Sequence, residues 1–382
     1  MTKFNTLYKR ASNGKIQEWT IVVDDNSYIV TEGMKDGKLT TTAPHTCEGK
    51  NPGKKNETLA TEQALKEAKA VYDKKLRRGY VESIGDVDNT TFEKPMKGSK
   101  FQDYENEVEY PVGYDDKING VNFRIKAKGI ESTGGEFFLT APHIINSLKP
   151  LFTKYPNLVL MGEGYNPKAE FLHQITEILT VTKKNKDITP ELLALSEKVC
   201  ECWLFDGYGF DNIDENTNWM KRREAVKKLV KGYKYVYVLP YKTANNKAEL
   251  DIALAENKTR GGEGLMVRWK NCEIKHGKSK YLLKLKHWED EEFELVDFAL
   301  GNGNWSTFPK KAIFKLPEPC KDRDGNILTT FASNIEGGEE YLAKLWKDRK
   351  DLIGKKFTVK YQLKSAYGIP QIPWLIVPRT YE

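Results

Sequence analysis

The chain has 382 residues, enough for two or three domains that each bury a core. With 61 basic and 54 acidic side chains its formal charge is +7, which permits a polyanionic partner without requiring one. Aromatic residues make up 11% of the chain, too many for a disordered protein, and no apolar run is long enough to span a membrane. The first ten residues lack the apolar core of a signal peptide. The five cysteines are an odd number without zinc-ligand spacing, which favours a reduced, intracellular chain with no structural metal.

Residues 1–83 have the pattern of a small α+β module. Short β-type runs at 19–23 and 28–31 are separated by Asn-Gly and Asp-Gly turns. An amphipathic helix follows them and is predicted to end at Gly79. Its polar face is rich in Lys and Arg, and a Gly/Asn-rich loop just before it carries Lys50, Lys54 and Lys55. These cations are either a solvated face or a contact surface for nucleic-acid phosphates, and the sequence leaves both open.

The rest of the chain divides by composition and periodicity. Residues 84–108 are polar and aperiodic, which predicts a linker. From 109 to 287 strand and helix patterns alternate, with strands expected at 122–126, 158–161, 202–205, 235–239, 264–268 and 281–285, and helices near 143–154, 168–182, 190–199, 217–231 and 246–256. Residues 288–382 are β-rich with one helical insert at 338–350, which suggests a small Greek-key barrel of OB type. The expected fold class is α+β and multidomain.

Candidate chemistry lies in five short segments in which a charged residue interrupts an apolar, strand-like run: 117–120, 162–165, 204–207, 263–268 and 283–286. A lone charge in a strand usually marks its solvent face. Lys284 and Lys286, however, project to one side of the same strand, and two like charges side by side are unfavourable unless an anion meets them. Glu163 and Glu263 offer carboxylates for a divalent cation, and Lys117 offers a nucleophilic amine.

The order and spacing of these segments resemble the nucleotidyltransferase motifs of ATP-dependent DNA ligases, a superfamily that includes RNA ligases and mRNA capping enzymes. The K-x-D-G motif is similar to residues 117–120, the D-G-E motif to 161–163 and the aromatic F-D strand to 205–206. The motif that begins E-G is intact at 263–268, and the final K-x-K is 284–286. The resemblance covers 109–382. Residues 1–83 resemble, more loosely, the WGR-like module ahead of some phage-type ligases, on Trp19 and the basic loop.

The resemblance implies an ATP-binding site whose nucleophile, Lys117, holds AMP. It places Lys284 and Lys286 on the α-phosphate and Phe205 on the adenine, with Asp115 and Ile118 beside the base and nucleophile. Mg²⁺ is implied on Glu163 and Glu263. The implied partner is nicked duplex DNA, possibly RNA-containing, with candidate contacts from Arg124, Arg379, Lys50, Lys54 and Lys55. A monomer in the cytoplasm is expected, in the host's cytoplasm if the chain comes from a phage.

Three departures from the motifs keep other functions open. Asn119 and Met161 stand where the family has Asp, and Asn122 stands where an Arg often follows the nucleophile motif, with Arg124 two places later. Asn122 with its neighbour Phe123 favours sealing of RNA or RNA-containing nicks as the first alternative. A non-catalytic nucleic-acid-binding relative is the second, and a guanylyltransferase is a weaker third. Outside the motifs, Arg222 and Arg223 are expected on a solvated helix face, with a phosphate contact from one of them as the alternative.

Overall fold

The computed structural model describes residues 1–11, 13–89, 93–168, 172–181, 188–321, 325–365 and 368–375, without the side chains of 172 and 173. The chain forms two compact units. One unit combines the two ends of the chain, Met1–Thr91 and Trp288–Glu382, and the other is Phe92–His287.

The N-terminal part of the first unit is a six-stranded antiparallel sheet and one helix. Its elements are β1 (Thr2–Lys3), β2 (Leu7–Arg10), β3 (Ile16–Asp24), β4 (Ser27–Met34), β5 (Leu39–Thr41), β6 (His45–Thr46) and α1 (Ala60–Arg77). Alternate residues of β3, Trp19 and Ile21 among them, are buried against Ala64 and Ala68 of α1. The helix closes as the sequence predicts, because Gly79 takes a φ of 80° and donates its N–H to the Leu76 carbonyl.

The second unit is built on two five-stranded sheets with helices. Its elements are β7 (Lys97–Lys100), β8 (Val112–Asp116), β9 (Val121–Lys126), β10 (Gly129–Ser132), α2 (Pro142–Lys154), β11 (Val159–Tyr165), α3 (Leu172–Thr180), α4 (Pro190–Val199), β12 (Glu201–Tyr208), α5 (Trp219–Leu229), β13 (Val236–Val238), β14 (Lys242–Ala244), α6 (Lys247–Thr259), β15 (Gly264–Arg268) and β16 (Lys278–Lys286). One sheet has the order β10-β9-β11-β12-β13 and the other β14-β8-β15-β16-β7.

Each sheet of the second unit has an apolar core of its own. Ile125, Leu160 and Leu204 of the first sheet are completely buried with the apolar faces of α2 and α3. In the second sheet Leu283 and Leu285 point into a core shared with α6, so the lysines that alternate with them face the other way. That alternation is the one the sequence predicts for this strand.

Part of the segment expected to be a linker belongs to the second unit. Residues 97–100 form β7, the edge strand that pairs in parallel with β16. The side chain of Ser99 is buried and its hydroxyl donates to the Ser279 carbonyl at 2.8 Å. The linker prediction for these residues is therefore wrong, because backbone pairing to a neighbouring strand orders a polar segment that has no apolar period of its own.

The C-terminal part of the first unit is a closed five-stranded barrel with the order β17-β18-β19-β21-β20. Its elements are β17 (Glu289–Leu300), β18 (Pro309–Lys321), β19 (Ile327–Ile335), α7 (Glu339–Lys347), α8 (Arg349–Leu352), β20 (Lys356–Tyr361) and β21 (Trp374–Leu375). Phe293, Phe314 and Phe331 meet in its core. The predicted helical insert is present as α7 and α8, whereas β19 has no counterpart in the sequence analysis.

Two further observations concern the described residues. No helix among them is both long and apolar enough to cross a bilayer. All five cysteines carry free thiols, and four of them are buried.

Candidate active site

Backbone pairing brings Lys117 next to Glu263. β8 ends one residue before Lys117, and β15 begins one residue after Glu263. The two strands are antiparallel neighbours, and the Lys117 N–H donates to the Gly264 carbonyl at 2.8 Å. As a result the Lys117 Nζ lies 2.7 Å from Glu263 Oε2, and both side chains are less than one-fifth exposed.

Glu263 holds two lysines at once. Its second oxygen, Oε1, lies 2.8 Å from the Nζ of Lys286 at the end of β16. Burial alone would raise the pKa of the Glu263 carboxyl, but Lys117 and Lys286 outweigh it and hold that pKa below its usual value. Glu263 is therefore an ionised carboxylate that fixes both ammonium groups.

The site carries more positive than negative charge. Burial lowers the pKa of Lys284, and the nearby ammonium groups of Lys117, Lys286 and Lys97 lower it further. Glu263 offsets only part of this accumulation. Several cations held together at a partly buried place are unfavourable alone and favourable once a polyphosphate binds between them.

A second carboxylate, that of Glu163, comes from the other sheet. Glu163 on β11 lies directly across from Asn122 on β9, and its Oε2 accepts the Gly120 N–H at 3.0 Å. Burial raises the pKa of Glu163, more than the favourable effects of Lys117, the Gly120 N–H and the Asn122 side chain lower it. This carboxylate would be stabilised by further positive charge.

Gly120 is required by the close approach of Glu163. A Cβ at position 120 would lie 2.9 Å from the Glu163 Cβ and 2.9 Å from the Gly164 carbonyl oxygen. We expect Gly120→Ala to displace Glu163 and to slow nucleotide transfer by about 10²-fold, the cost of a misplacement of about 1 Å. The measurement is the rate of covalent labelling with ATP. Gly134→Ala is the control, because a Cβ there meets only the Ser132 hydroxyl, at 3.7 Å; an equal loss in both variants would contradict the assignment.

These charged groups border a cavity of about 340 Å³ within the second unit. Lys117, Lys284 and Glu163 lie on its wall, and Asp115 and Ile118 also line it. Most of the residues predicted from the sequence to bind the nucleotide therefore line one cavity. Glu263 and Lys286 lie behind its wall, where Glu263 pairs with Lys117 and Lys286 pairs with Glu263. Apolar walls with a few converging charges are typical of small-ligand sites.

Phe205 enters the cavity wall because of a β-bulge. Met161 of β11 pairs with Asp206, but the next residue pairs with Leu204, so Phe205 is the extra residue on β12. Trp203, the other aromatic candidate on this strand, stacks instead on Tyr237 with ring centroids 5.0 Å apart. The bulge therefore separates the two aromatic side chains and gives Phe205 a face of the cavity.

Asp115 is held by two buried arginines. Arg223 Nη2 donates to Asp115 Oδ2 at 2.8 Å, and Arg268 donates to the same oxygen. On β12 of the other sheet Asp206 accepts two hydrogen bonds of 2.7 Å from Arg222. Arg222 and Arg223 are 0% and 1% exposed, so the expectation of a solvated helix face is wrong for these two residues. Carboxylates on strands compensate the two charges, and α5 turns both arginines inward.

The Asp206–Arg222 pair predicts a stability effect. We expect Asp206→Ala to lower the free energy of unfolding by about 3–5 kcal/mol, because it leaves the fully buried Arg222 without its counter-ion. The measurement is urea denaturation followed by circular dichroism. Asp251→Ala is the control, since Asp251 forms only an exposed pair with Lys247 and its loss should change little. Equal stabilities of the two variants would contradict the prediction.

The predicted DNA contacts have mixed placements. The Arg124 side chain is 4% exposed, pairs with Glu131 at 3.0 Å and lines the cavity, so it is not on an outer face as a duplex contact would require. Lys54 and Lys55 are exposed in the turn before α1, whereas the Lys50 Nζ pairs with Glu67 at 2.8 Å. Arg379 lies outside the described residues.

Other cavity residues are absent from the sequence-predicted set. Met96 and Lys97 line the cavity from the segment expected to be a linker, and Asn122 and Arg268 line it from β9 and β15. Met96 and Lys97 could not be found from the sequence, because an edge strand as short as β7 gives no periodic signal. The last residue of the intact E-G motif is Arg268, so motif position could have indicated it.

The two replaced motif aspartates occupy different environments. Asn119 is exposed, so its amide removes no buried charge from the site. Met161 is 6% exposed and lines the cavity beside Phe205 in one apolar cluster. Neither replacement breaks the contacts among Lys117, Glu263 and Lys286.

Comparison with known proteins gives the same assignment. The family profile described as ATP dependent DNA ligase domain matches residues 123–286, which run from within β9 to the end of β16 and include most of the cavity wall. The chain contains an ATP-dependent DNA ligase domain. It is therefore an enzyme that uses ATP, and the match gives the RNA-sealing alternative no support.

Individual relatives agree with this match. The DNA ligase of African swine fever virus (isolate Warthog/Namibia/Wart80/1980) is 27% identical in an alignment 364 residues long, which covers 90% of this chain and 80% of the viral protein. Among solved structures, one described as Pmar-Lig_Pre has a TM-score of 0.60 at 18% identity, covering 76% of this chain and 68% of its own. A Lig E DNA ligase has a TM-score of 0.57 at 16% identity, covering 75% of this chain and 98% of its own. The two structures show a shared ligase fold.

Proposed function

We propose that this ATP-dependent ligase seals 5′-phosphate/3′-hydroxyl nicks in duplex DNA through AMP held covalently on Lys117. The observation that carries the proposal is the Lys117 amine at the cavity wall, 2.7 Å from Glu263 Oε2 and surrounded by further lysines. A neutral amine is a nucleophile and the remaining cations fit a polyphosphate, a combination that supports transfer of a nucleotide to this nitrogen.

In the first step the Lys117 nitrogen attacks the α-phosphorus of ATP. The nitrogen–phosphorus bond forms while the bond to the bridging oxygen breaks, and pyrophosphate leaves with that electron pair. The amine must lose a proton to act, and Glu263 Oε2 is the acceptor that lies within hydrogen-bond distance. Glu263 also orients the amine, since its other oxygen is anchored by Lys286.

The lysines other than Lys117 stabilise the charge that develops on the phosphates. Lys284 and Lys97 both line the cavity. Lys286 pairs with Glu263, which in turn pairs with Lys117 on the cavity wall. Preorganised cations aimed at a transferring phosphoryl group lower the barrier without any reorganisation of solvent. We propose that Lys284 and Lys286 contact the α-phosphate and that Lys97 faces the leaving pyrophosphate.

The carboxylates fit Mg²⁺, which would neutralise phosphate charge and polarise the α-phosphate. Glu163 fits because its buried carboxylate has a raised pKa and would gain from a nearby cation. Glu263 is paired with two lysines before the reaction. The lysyl phosphoramidate is uncharged at its nitrogen, so Oε2 of Glu263 loses one ion pair when AMP is attached. Once the proton taken from Lys117 has passed to solvent, this oxygen would be free to serve as a ligand.

The nucleotide base is assigned to the apolar part of the cavity wall. Phe205 provides an aromatic face, and Ile118 and Met266 provide apolar walls. Asp115 lines the cavity, and both of its arginine bonds end on Oδ2, which supports a role for Oδ1 in recognising the base. We propose that Phe205 stacks on the adenine.

In the remaining steps AMP passes to the 5′-phosphate of the nick, and the adjacent 3′-hydroxyl then displaces AMP. We assign nucleotide transfer to residues 109–287, and we propose that residues 288–382 form an OB-type barrel that covers the duplex. Residues 1–83 are proposed as a WGR-like module that adds phosphate contacts through Lys54 and Lys55. We expect a monomer that acts inside the cell, where ATP and DNA occur, in keeping with its free cysteines.

A panel of matched substrates tests this function. The same nick is built in duplexes of DNA, of RNA and with one RNA strand, and sealing is measured with ATP and Mg²⁺ under single-turnover conditions. We expect the DNA nick to be sealed fastest. Faster sealing of the RNA duplex would favour the alternative suggested by Asn122 and Phe123, and no sealing of any nick by protein that forms the AMP adduct would contradict the proposed substrate.

Salt dependence tests the contribution of the N-terminal module. Lys54→Gln combined with Lys55→Gln should reduce the slope of log affinity against log salt by about 0.9 for each duplex-DNA phosphate that the variant no longer neutralises. Binding to nicked DNA is measured at several salt concentrations, and covalent labelling by ATP should be unchanged. The control replaces Lys227 and Lys228, which are exposed at the end of α5. Equal slopes in the wild type and the Lys54/Lys55 variant would mean that the loop is only a solvated face.

A further inference from the structure

A histidine, a cysteine and a glutamate converge in the N-terminal sheet, far in sequence from the ligase motifs. His45 begins β6 and Cys47 follows that strand, while Glu67 lies in the second turn of α1. One potential ligand atom from each side chain lies within 4.8 Å of the other two. Within the ranges that the structure describes, this is the one such group of three or more His, Cys, Asp or Glu residues.

The two distances from Glu67 to the other candidate ligands match the edges of a metal coordination tetrahedron, and the third pair of atoms lies within 4.8 Å. Glu67 Oε2 lies 3.6 Å from His45 Nε2 and 3.5 Å from Cys47 Sγ. Zinc binds nitrogen and carboxylate oxygen at about 2.0–2.1 Å and thiolate sulfur at about 2.3 Å, so tetrahedral angles give ligand–ligand edges of about 3.3–3.6 Å. The side chains therefore need little movement to take up a cation.

Hydrogen bonds to neighbouring groups orient the Glu67 side chain. Glu67 Oε1 accepts from Lys50 Nζ at 2.8 Å and from Gln63 Nε2 at 2.7 Å, which turns Oε2 toward His45 and Cys47. Partners that fix the outer oxygen of a carboxylate are typical of metal sites. The Lys50 side chain is 59% exposed, so its ammonium can move into solvent when a cation binds.

The two ligands from the strand region are equally constrained. The Cys47 N–H donates to the Asn26 carbonyl at 2.8 Å, and the His45 ring stacks on Tyr28 with centroids 4.6 Å apart. His45 and Cys47 are separated by one residue in extended chain, so both side chains leave the same face. The Cys47 side chain is buried, and its thiol donates to Glu67 Oε2.

We propose that His45, Cys47 and Glu67 form a zinc site, with water as the fourth ligand. A nitrogen, a sulfur and a carboxylate oxygen are the donor set that suits Zn²⁺ and disfavours Mg²⁺, which demands an oxygen octahedron. On binding, the sulfur–hydrogen bond of Cys47 breaks, the proton passes to solvent and the sulfur–zinc bond forms. The zinc keeps its charge state, so no oxidant or reductant is required.

The site ties the chain around β6 to α1, and this has a structural consequence. Asn302, in the loop after β17, donates through Nδ2 to the Thr46 carbonyl at 3.1 Å and accepts from the Thr46 N–H at 3.3 Å. Thr46 lies between the two proposed ligands. Zinc would therefore stabilise Thr46, a residue through which the N-terminal sheet contacts the loop after β17 in the same unit. The expectation of a chain without structural metal is replaced by this proposal.

The test is metal binding by the full-length protein without an affinity tag. Zinc-free protein is titrated with Zn²⁺ against a chromogenic chelator, and with Co²⁺ as a spectroscopic substitute that reports thiolate ligation by a charge-transfer band. We expect one equivalent of Zn²⁺ to bind and the charge-transfer band to appear. Cys47→Ala and Glu67→Gln should each weaken zinc binding by at least about 100-fold, more than changes outside the ligand set commonly cost.

Matched controls separate this site from adventitious binding. Cys320→Ala removes another free thiol, and His276→Ala removes another histidine that faces a glutamate, at 3.3 Å from Glu215. Both control variants should bind one zinc with wild-type affinity. Circular dichroism of every variant verifies folding before titration. No binding by the wild type would overturn the proposal, and so would unchanged binding in a folded Cys47→Ala or Glu67→Gln variant.

Discussion

Lys117→Ala should abolish covalent labelling of the protein by ATP. The variant removes the only atom that the account assigns to bond formation with the α-phosphorus, so the loss is expected to be complete rather than partial. The Lys117 side chain is less than one-fifth exposed and contacts Glu263, so a folding check by circular dichroism accompanies the assay. The measurement is transfer of radiolabel from α-labelled ATP to protein, followed by denaturing electrophoresis.

Two comparisons make this result specific. Lys270→Ala removes an exposed lysine paired with Glu109 and should leave labelling unchanged. A nick that already carries AMP on its 5′-phosphate does not need the nucleophile, so Lys117→Ala should still seal it to a measurable extent. Covalent AMP on the Lys117→Ala protein would show that another residue is the nucleophile.

Glu263→Ala should slow nucleotide transfer by about 10²–10³-fold, the usual cost of losing one preorganised electrostatic group. The loss is large because a single carboxylate orients the nucleophile and anchors Lys286 at the same time. Without it, Lys117 and Lys286 would both lose the carboxylate that pairs with them before ATP binds. The measurement is the single-turnover rate of labelling at saturating ATP and Mg²⁺.

Glu263→Gln separates the two roles of this side chain. The amide keeps the size of the carboxylate and can accept one hydrogen bond, but it carries no negative charge. If charge is what matters, Gln should be nearly as slow as Ala; if orientation matters more, Gln should recover much of the rate. A near-wild-type rate for Glu263→Ala would make the residue structural and remove it from the mechanism.

The motif residues could be located from the sequence because the order and spacing of their segments resemble the ligase motifs. Lys284 and Lys286 alternate with buried leucines on one strand, and the structure confirms that alternation. Glu263 precedes a regular apolar strand, so its position at a strand end was also predictable. What a sequence pattern does not give is the pairing of β8 with β15, which brings Lys117 to Glu263 across 146 residues of chain.

Other features depended on partners that no local pattern reveals. Arg222 and Arg223 give a helix face that looks solvated, yet Asp206 and Asp115 neutralise them from strands 16 and 108 residues away. Lys97 lies in a short polar segment that becomes ordered only by pairing with β16. Long-range compensation of charge and edge-strand pairing are tertiary effects, so they override the local prediction.

The same limit applies to the histidine, cysteine and glutamate of the N-terminal module. His45 and Cys47 are close in sequence, but Glu67 is 20 residues beyond Cys47, on a helix. Zinc-ligand spacings recognised in sequences consist of paired Cys or His motifs, and this arrangement has only half of one. The three residues form a visible group only in the folded structure, where α1 packs against the sheet.

The most direct test of the central claim is a pulse with labelled ATP followed by a chase with DNA. Wild-type protein is incubated with α-labelled ATP, or with α-labelled GTP in parallel, and freed of nucleotide; nicked duplex DNA is then added. We expect label on the protein from ATP only, at Lys117. Addition of DNA should remove this label from the protein as sealed strand and free AMP appear together. No protein label from ATP, or label from GTP alone, would contradict the central claim.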